Sequence, residues 1–320
     1  MSAPHENWRA ASFKNEPISF VTTNPRTNKI ITASPPCGKI CSYSWDAKEE
    51  GKYYPLLHKS VNCSNILHRM AYSPGTVILP PPRRPPPNLI NNFTMDGQCP
   101  ITVFRYYNNF GDKKPNDGHF SATAFDRLLR KDSVTNINGY RDKNVLKPAL
   151  KKYKQKIYDK SVAVIGTRKP WAEAILLNLG AKHVTTVEYA KLIIEHKRVT
   201  TVTPDRLATR FISGQAVLFD TVFTYSSIEH SGLGRYGDPV APFGDLEATA
   251  QVWCMVKPGG YFILAVPMLK DQNKCSVKWN GGRRYGTVRL QHLTANWHVL
   301  DDFKTHDLFN QHIFVLKKIP

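Results

Sequence analysis

Residues 162–188 read as one β-α-β unit, and this arrangement restricts the fold of the chain more than any other segment. The apolar residues 162–165 predict a buried strand, and Pro170 predicts the first position of a helix, where a missing N–H is not needed. Gly180 predicts the end of that helix, and residues 183–187 predict a second strand. Such a unit predicts a doubly wound sheet of parallel strands.

Two features of this unit are those that a nucleoside-binding crevice requires. Gly166 follows the first strand, where the lack of a side chain lets a ligand approach the backbone closely. Glu188 follows the second strand, 22 positions after Gly166, close to the ~20 positions expected of an acid that accepts hydrogen bonds from a ribose. Glycine turns and strand-end acids also occur in units without a ligand, so a purely structural unit remains an alternative.

The residues after Glu188 continue the alternation of strands and helices. We predict helices over 190–198 and 245–256, and strands over 200–202, 216–225 and 261–266, with a proline-glycine turn at 257–260. Two late strands, 297–303 and 312–317, are joined by a short loop and therefore predict an antiparallel hairpin. The expected architecture of residues 151–320 is an α/β domain whose mostly parallel, doubly wound sheet ends in this hairpin.

The part of the chain before this domain is less regular. Residues 1–90 are rich in Pro, Asn and Ser and predict an irregular region, followed by an extension packed on the core over residues 91–150. That extension includes a strand over 101–107 and a helix over 121–129, and a second helix is predicted over 147–158. Residues 80–87, PPPRRPPP, predict an extended polyproline II segment. This segment is either a stiff spacer or a ligand for a proline-recognising partner.

Charge and hydropathy exclude some classes of protein. The net charge is +19, but it is spread evenly along the chain without a basic arm, so nucleic-acid binding is not favoured. The lysine-rich residues 143–160 predict a solvated helix face or a docking surface for an anionic partner. No apolar run approaches the ~20 residues that span a bilayer, and residues 1–10 contain no apolar leader. We therefore expect no membrane span and a cytoplasmic location.

The six cysteines are dispersed along the sequence. Cys37 and Cys41 lack a second pair that would complete a zinc site, so no metal is expected. The even count and the glycosylation sequons at Asn62 and Asn92 would suit a secreted protein. Without a leader, a reducing compartment is the expectation.

Several segments resemble the class I S-adenosylmethionine-dependent methyltransferases. Residues 220–230 are similar to the fourth-strand motif of that superfamily, and residues 256–264 are similar to the turn before its fifth strand. More narrowly, VIGTRKPWAEA, TTVEYA, SSIEHSGLGRYGDPVAPFGDL, KPGGYFILAVP and RRYGTVRL resemble the family catalogued as domain of unknown function DUF268, over roughly residues 90–320. The resemblance implies a Rossmann-like methyltransferase fold, S-adenosylmethionine as cofactor and an unidentified methyl acceptor.

The resemblance and the sheet topology together assign candidate site residues. Those expected to bind the cofactor are Gly166, Thr167, Glu188, Asp220, Ser226 and Ser227. Glu229 and His230, in the loop after the fourth strand, are candidates for a general base or for orienting the acceptor, unless they form a structural pair. Those expected to bind the acceptor are Arg235, Tyr236, Asp238, Arg283, Arg284 and Tyr285.

The loop after Gly166 departs from the superfamily. Thr167, Arg168, Lys169 and Pro170 stand where methyltransferases usually have further glycines. A catalytically inactive, methyltransferase-like binding or scaffold protein is therefore the alternative function. A nicotinamide dehydrogenase would need G-x-G-x-x-G for the pyrophosphate, which this loop lacks.

Overall fold

The computed structural model describes residues 21–23, 30–32, 63–72, 81–107, 118–130, 143–216, 218–304 and 310–318. Its helices are α1 (Cys63–Tyr72), α2 (Ile90–Thr94), α3 (Ala122–Arg130), α4 (Lys143–Lys152), α5 (Trp171–Asn178), α6 (Pro204–Ile212), α7 (Gly244–Met255) and α8 (Thr287–Leu293). Its strands are β1 (Val21–Thr23), β2 (Ile30–Thr32), β3 (Ile101–Phe104), β4 (His119–Phe120), β5 (Ser161–Ile165), β6 (His183–Val187), β7 (Ile193–Ile194), β8 (Val199–Val202), β9 (Phe219–Tyr225), β10 (Val256–Pro267), β11 (Ser276–Trp279), β12 (Gly282–Arg284), β13 (Trp297–Lys304) and β14 (Gln311–Lys318). Within these ranges, no helix combines the length and the apolar character needed to cross a membrane.

Seven strands form the central sheet, in the order β13-β14-β10-β9-β5-β6-β8. The strands from β10 to β8 run parallel, whereas β14 pairs antiparallel with both β10 and β13. The chain order of the parallel strands reverses between β5 and β9, and open α/β sheets form their ligand crevice beside such a reversal. The predicted α/β fold, a doubly wound sheet with a C-terminal antiparallel hairpin, is confirmed.

The β-α-β unit predicted from residues 162–188 is observed as β5, α5 and β6. Its strands pair in register from Ser161↔His183 to Ile165↔Val187. Gly180 adopts a positive φ of 91° just after the helix, a conformation that L residues rarely adopt. Pro170 is the N-cap of α5 rather than its first helical residue. The helix is buried from Ala172 to Leu177 because it lies between the sheet and α3.

Some elements differ from the sequence predictions. Residues 190–198 do not form a helix; Ile193–Ile194 pair instead with His119–Phe120, as β7 with β4. Helix α6 was not predicted, although Pro204 and Asp205 in its first turn are a common start signal. The expected turn at 257–260 lies inside β10 as an irregularity, with the pairing register shifting between Val256 and Tyr261.

The two faces of the sheet carry separate hydrophobic cores. Alternate residues of one strand point to opposite faces, so that Phe262 joins the core beneath α1, α6 and α7, while Ile263 joins the core beneath α3, α4 and α5. Val222 and Phe223 on β9 divide in the same way. The helices therefore cover both faces, as in other doubly wound sheets.

Two disulfides tie earlier segments to this domain. Cys63 in α1 pairs with Cys254 in α7, and Cys99 pairs with Cys275. The Cα–Cα distances, 5.4 and 4.7 Å, lie within the range of protein disulfides. Disulfides persist in oxidising compartments. The two pairs therefore differ from the expectation of a reducing compartment made from the sequence. The Cys37–Cys41 segment and the Asn62 sequon lie outside the described residues.

The second of these disulfides lies beside a small sheet of order β12-β11-β3. Strand β3 pairs parallel with β11, so that this sheet joins the segment before residue 151 to the C-terminal part of the chain. The domain boundaries at residues 90 and 150 stay predictions.

The proline-rich segment packs on the rest of the chain. Pro81 and Pro85 are buried, and the indole N–H of Trp279 donates a hydrogen bond to the carbonyl of Pro82 (3.0 Å). Pro86 has polyproline II angles, φ −55° and ψ 129°, whereas Pro87 begins a short 3₁₀ helix. Because the buried prolines are occupied by contacts within the chain, a proline-recognising partner is not supported. Residue 80 lies outside the described ranges.

Candidate functional site

A cavity of about 530 Å³ opens at the carboxyl edge of the parallel strands. The loops after β5, β6 and β9 form its walls, together with residues 251, 252 and 255 of α7. Its volume lies within the ~300–1,000 Å³ of small-molecule sites, and its position beside the reversal of strand order is the usual one. We refer to it below as the carboxyl-edge cavity.

Gly166 lies on the wall of this cavity, but its α-carbon is covered by a neighbouring side chain. Its φ is +72°, and a Cβ placed on it would lie 1.8 Å from the hydroxyl oxygen of Ser227. Glycine is therefore required by the backbone turn and by the close packing of Ser227. This corrects the expectation that a ligand approaches the bare α-carbon directly; Gly166 and Ser227 line the cavity together.

Glu188 is fixed at the end of β6 by two backbone groups. Its Oε2 accepts a hydrogen bond from the N–H of Thr167 (2.9 Å), and its Oε1 accepts one from the N–H of Ala190 (3.3 Å). The Thr167 hydroxyl donates in turn to the carbonyl of Lys169 (2.6 Å). The acid thus joins the loops after β5 and β6, and Glu188 and Thr167 both line the cavity.

The loop after β5 offers few donors to a phosphate group. The N–H of Thr167 is used by Glu188, Pro170 has no N–H, and the N–H of Trp171 bonds to the carbonyl of Lys169. A pyrophosphate site at a helix N-terminus requires such donors to point at the ligand. The exposed side chains of Arg168 and Lys169 lie on the cavity wall and could hold an anionic group.

The loop after β9 begins with a residue in an unusual conformation. Ser226 has a φ of +51°, and its hydroxyl donates a hydrogen bond of 2.5 Å to Oε1 of Glu229. The Nε2 atom of His230 lies 3.6 Å from the same oxygen. Ser226 and His230 line the cavity, whereas the buried Glu229 does not. Glu229 is therefore placed to position Ser226.

Burial changes the proton affinity of both predicted catalytic residues. It raises the pKa of Glu229 to about 7, against the opposing effect of the Ser226 hydrogen bond. Burial, together with the nearby charge of Arg235, lowers the pKa of His230 to about 3. His230 is thus neutral at neutral pH and presents an uncharged imidazole to the cavity.

Carboxylates surround one wall of the cavity near Tyr189. Burial raises the pKa of the Tyr189 hydroxyl above its ordinary value, and four nearby carboxylates raise it further, those of Asp238, Glu247, Glu188 and Asp205. Of these four, Glu188 and Asp238 line the cavity, so this part of the lining carries carboxylates although the chain has a net charge of +19. Arg168 and Lys169 make another part of the lining positive, so a zwitterionic ligand would meet both signs of charge.

The predicted acceptor residues Tyr236 and Asp238 line the cavity, but Arg235 does not. Asp238 is buried, and its carboxylate accepts hydrogen bonds from the backbone N–H groups of residues 232, 234 and 236 (2.8, 3.0 and 3.1 Å). The carboxylate thereby holds the loop in shape. Arg235 donates to the carbonyl of Gly281 (3.0 Å) and lies over the ring of Tyr236, 5.0 Å from its centroid.

None of the four remaining candidates lines the carboxyl-edge cavity: Asp220, Arg283, Arg284 and Tyr285. Asp220 lies at the amino end of β9, opposite the cavity, where it accepts bonds from Lys257 Nζ (2.7 Å) and the Ser161 N–H (3.0 Å). Burial opposes the ionisation of Asp220, but these partners outweigh it and lower its pKa. A residue that begins a parallel strand cannot reach the carboxyl edge, which corrects its placement in the cofactor site.

Arg283 and Tyr285 lie in a buried cluster with Asp245 and Arg289. Asp245 accepts hydrogen bonds from Arg289 (2.6 and 2.8 Å) and from the Tyr285 hydroxyl (3.0 Å). Arg283 donates to the carbonyls of Ser231 (2.6 Å) and Pro242 (3.0 Å). These bonds hold the loop after β9 on its buried side, away from the cavity. Neither residue lines the cavity, and neither does the half-buried Arg284, which corrects their expected position at the acceptor.

Other residues of the cavity lining were not among the site residues predicted from the sequence. Met70 of α1 and Gln251 and Met255 of α7 line the cavity with Tyr189. Only Tyr189 had a sequence signal, since it directly follows Glu188. In the described part of the chain, no group of three or more His, Cys, Asp or Glu residues is arranged to hold a metal ion.

Solved structures with low similarity to this chain include two methyltransferases. Among solved structures, a 1,6-didemethyltoxoflavin-N1-methyltransferase of Burkholderia thailandensis, with bound S-adenosylhomocysteine, is 15% identical over 62% of this chain and 90% of its own, with a TM-score of 0.43. The N-methyltransferase NodS of Bradyrhizobium japonicum, in complex with S-adenosylhomocysteine, is 12% identical over 62% of this chain and 97% of its own, with a TM-score of 0.40. Likenesses this low do not bear on what this chain binds.

Sequence comparison identifies a family. No curated protein matches the chain. The model of the family described as "Caenorhabditis protein of unknown function, DUF268" matches residues 159–316, which include β5 to β13 and most of β14. The resemblance to DUF268 that the sequence predicts is thereby confirmed for residues 159–316.

Proposed function

We propose that the protein is an S-adenosylmethionine-dependent methyltransferase whose acceptor is unidentified. The observation that carries this proposal is the carboxyl-edge cavity, which has Glu188 and Tyr189 on one wall and the loop after β9 on another. When bound, S-adenosylmethionine supplies a methyl group on a positively charged sulfur, already activated for in-line displacement. The protein then has to orient the acceptor and exclude water.

The charges around the cavity support this cofactor over a dinucleotide. The Glu188 carboxylate on the lining favours a cationic sulfonium, while Arg168 and Lys169 suit the carboxylate of a methionine moiety. Glu188 is held at the end of β6. From this position in such folds, an acid accepts hydrogen bonds from the hydroxyl groups of a ribose. A dinucleotide would instead bring a pyrophosphate to a loop whose N–H groups are largely used or missing.

On the acceptor side, we assign the orientation of the methyl acceptor to His230 and Ser226, two polar residues of the loop after β9 that line the cavity. The neutral imidazole of His230 can accept a hydrogen bond, or the proton that an alcohol or amine loses on methylation. Its low pKa makes it a weak base, so orientation of the acceptor is its main contribution. Glu229 holds Ser226 and is a positioning residue.

The alternative is a catalytically inactive relative that retains the fold. Ser227 covers the α-carbon of Gly166, and Glu188 already accepts the Thr167 N–H. Both contacts would also serve a loop that has lost its ligand. This alternative predicts either no nucleoside binding or binding without methyl transfer.

Ligand-induced stabilisation tests the cofactor. We expect S-adenosylmethionine and S-adenosylhomocysteine to raise the melting temperature, because a ligand at 100 times its Kd adds about 2.7 kcal/mol to the free energy of unfolding. Glu188→Gln should weaken the affinity about tenfold, since hydrogen bonds to charged groups contribute ~1.5–3 kcal/mol. The exposed Glu195 provides the matched control, Glu195→Gln.

The results separate the alternatives. No shift with either ligand, or an equal shift with NAD, would contradict the proposed cofactor. Release of S-adenosylhomocysteine is then measured with panels of alcohols, amines and carboxylic acids as acceptors. Binding without release on any panel would favour the inactive relative.

We also propose an oxidising compartment for the protein rather than the cytoplasm. The pairs Cys63–Cys254 and Cys99–Cys275 support this location, because thiols in the cytosol are kept reduced.

A further inference from the structure

Exposed aromatic rings and arginines are concentrated on one surface outside the cavity. Phe104, Tyr106 and Tyr107 are 50%, 40% and 39% exposed, although large rings usually lie in the core. The guanidinium of Arg83 lies 4.7 Å from the ring centroid of Tyr106, and that of Arg84 lies 5.2 Å from the centroid of Phe104. With Arg105, these residues form what we call the arginine–aromatic surface: Arg83, Arg84, Phe104, Arg105, Tyr106 and Tyr107.

The positive charge of this surface is uncompensated among the described residues. None of their ion pairs includes Arg83, Arg84 or Arg105. Burial lowers the pKa of the adjacent Lys278, and the charges of Arg284 and Arg105 lower it further. These cations therefore repel one another. The sequence spreads its positive charge evenly, whereas the fold concentrates part of it here.

The surface is held rigidly by the elements beneath it. Arg105 donates its N–H to the carbonyl of Trp279 (3.2 Å), and the Tyr107 N–H bonds to the Asn280 side chain. The buried prolines at positions 81 and 85 flank Arg83 and Arg84, which leaves both arginine side chains exposed. A preorganised surface loses less conformational entropy on binding than a flexible one.

This surface also adjoins the carboxyl-edge cavity. The guanidinium of Arg235 lies between two rings, 4.4 Å from the centroid of Tyr107 and 5.0 Å from that of Tyr236. Tyr236 lines the cavity and packs against His230, with ring centroids 5.3 Å apart. Stacked side chains thus connect the exposed rings to the cavity wall.

Guanidinium groups beside exposed rings fit a polymer that has both anionic groups and flat faces. Arginine binds carboxylates and sulfates through paired N–H donors, and aromatic rings pack against sugar rings or bases. Acidic polysaccharides and single-stranded nucleic acids both meet these requirements. The two disulfides favour the polysaccharide, because they point to an oxidising compartment such as the secretory pathway or the cell exterior.

We propose that the arginine–aromatic surface binds an acidic polysaccharide, a sugar chain that carries carboxylate or sulfate groups. The proposal stands on the exposed rings, on arginines that form no ion pair within the described part of the chain, and on the disulfides. It does not depend on methyl transfer. A chain bound here would lie near Tyr236, which lines the cavity.

The test measures binding of the full-length protein to fluorescently labelled polygalacturonate and dextran sulfate by anisotropy at several salt concentrations. The variant Arg83→Ala/Arg84→Ala/Arg105→Ala should bind about tenfold more weakly or worse, with a shallower salt dependence, because fewer counterions are released. Tyr106→Ala should weaken binding while leaving the charge unchanged. The matched control is Lys182→Ala/Lys197→Ala/Lys270→Ala, which removes the same charge from exposed positions outside this surface and outside residues 143–160.

Each outcome bears on the proposal. We expect the lysine control to bind within about threefold of the parent protein, because its charges lie outside the surface. We also expect neutral dextran not to bind, and oligodeoxythymidylate to bind more weakly than the acidic polysaccharides. Equal losses in the two triple variants would show unspecific charge attraction and overturn the proposal. So would the absence of saturable polysaccharide binding, or tighter binding of the oligonucleotide that depends on the same arginines.

Discussion

Glu229 and His230 are neighbours whose proton affinities are shifted by burial in opposite senses. Burial disfavours the charged form of each, so the pKa of the acid rises to about 7 and that of the base falls to about 3. Both groups are therefore largely uncharged near pH 6. Glu229 and His230 consequently do not form an ion pair near this pH.

This shift predicts a pH-dependent stability for the variant Glu229→Gln. Between its unfolded pKa near 4.5 and its folded pKa of about 7, Glu229 binds more protons in the folded state, so the folded protein loses stability as the pH rises. Glutamine does not titrate. The unfolding free energy of the variant minus that of the parent should increase from pH 4.5 to pH 7, by up to about 3 kcal/mol.

Urea denaturation at pH 5 and pH 8 measures this difference. His230 has the reverse dependence, because its folded pKa lies below the unfolded value and stability is lost as the pH falls from 6.5 towards 3. That contribution is present in both proteins and largely cancels in the difference. Glu195→Gln is the control, since the Glu195 side chain is exposed and its pKa is lowered. A pH-independent difference for Glu229→Gln would contradict the buried, partly protonated state.

At the scale of elements, the disulfides attach α1 and β3 to the domain across long stretches of chain. Cys63 and Cys254 are 191 residues apart, and Cys99 and Cys275 are 176 apart. Helix α1 also buries Ile66, Leu67 and Met70 in the core beneath α7. The helix is thus held by apolar packing and by a covalent bond, and it contributes Met70 to the cavity wall.

Removal of the first disulfide should destabilise the protein. The variant Cys63→Ala/Cys254→Ala should lose about 2–5 kcal/mol of unfolding free energy, because long loops gain most entropy in the unfolded chain when a disulfide is removed. Urea denaturation without reductant measures this loss. With reductant, the parent protein should approach the variant. Parent and variant curves that already coincide without reductant would mean that these cysteines are not paired in solution.

At the scale of the whole molecule, the central sheet couples two cores that do not touch across it. Successive residues of β10 alternate between the cores, as Phe262 and Ile263 do, and both are almost completely buried. A strand that loses support on one face loses its register on the other face as well. The two cores should therefore unfold together.

Substitutions on the two faces test this cooperativity. Phe262→Ala should cost about 3–5 kcal/mol and Ile263→Ala about 2–5 kcal/mol, because each leaves a cavity in a packed core. Both should move the denaturation midpoint while leaving the slope with urea unchanged. A second transition in either variant, seen by fluorescence and circular dichroism at different midpoints, would show that the cores unfold separately.

Local chemistry decided the parts of the fold that the sequence predicted correctly. Gly166, Gly180 and Glu188 marked the ends of strands and helix in the β-α-β unit because turns and caps depend on neighbouring residues alone. The late hairpin followed from its short loop. Pro204 and Asp205 are also a local signal for the start of α6, although the helices predicted from the sequence do not include it. Where local signals are weak, as in residues 190–198, pairing with a distant strand decided the conformation.

The sequence by itself determined the doubly wound domain and the position of Glu188 at the edge of its sheet, because strand order and direction follow from alternating periodic segments. Only the tertiary structure decided which polar residues meet. It buried Arg283 and Tyr285 with Asp245, placed Asp220 at the far edge, and brought Arg83 and Arg84 beside Tyr106 and Phe104. Contacts between residues far apart in the chain depend on packing geometry, which no local pattern of residues records.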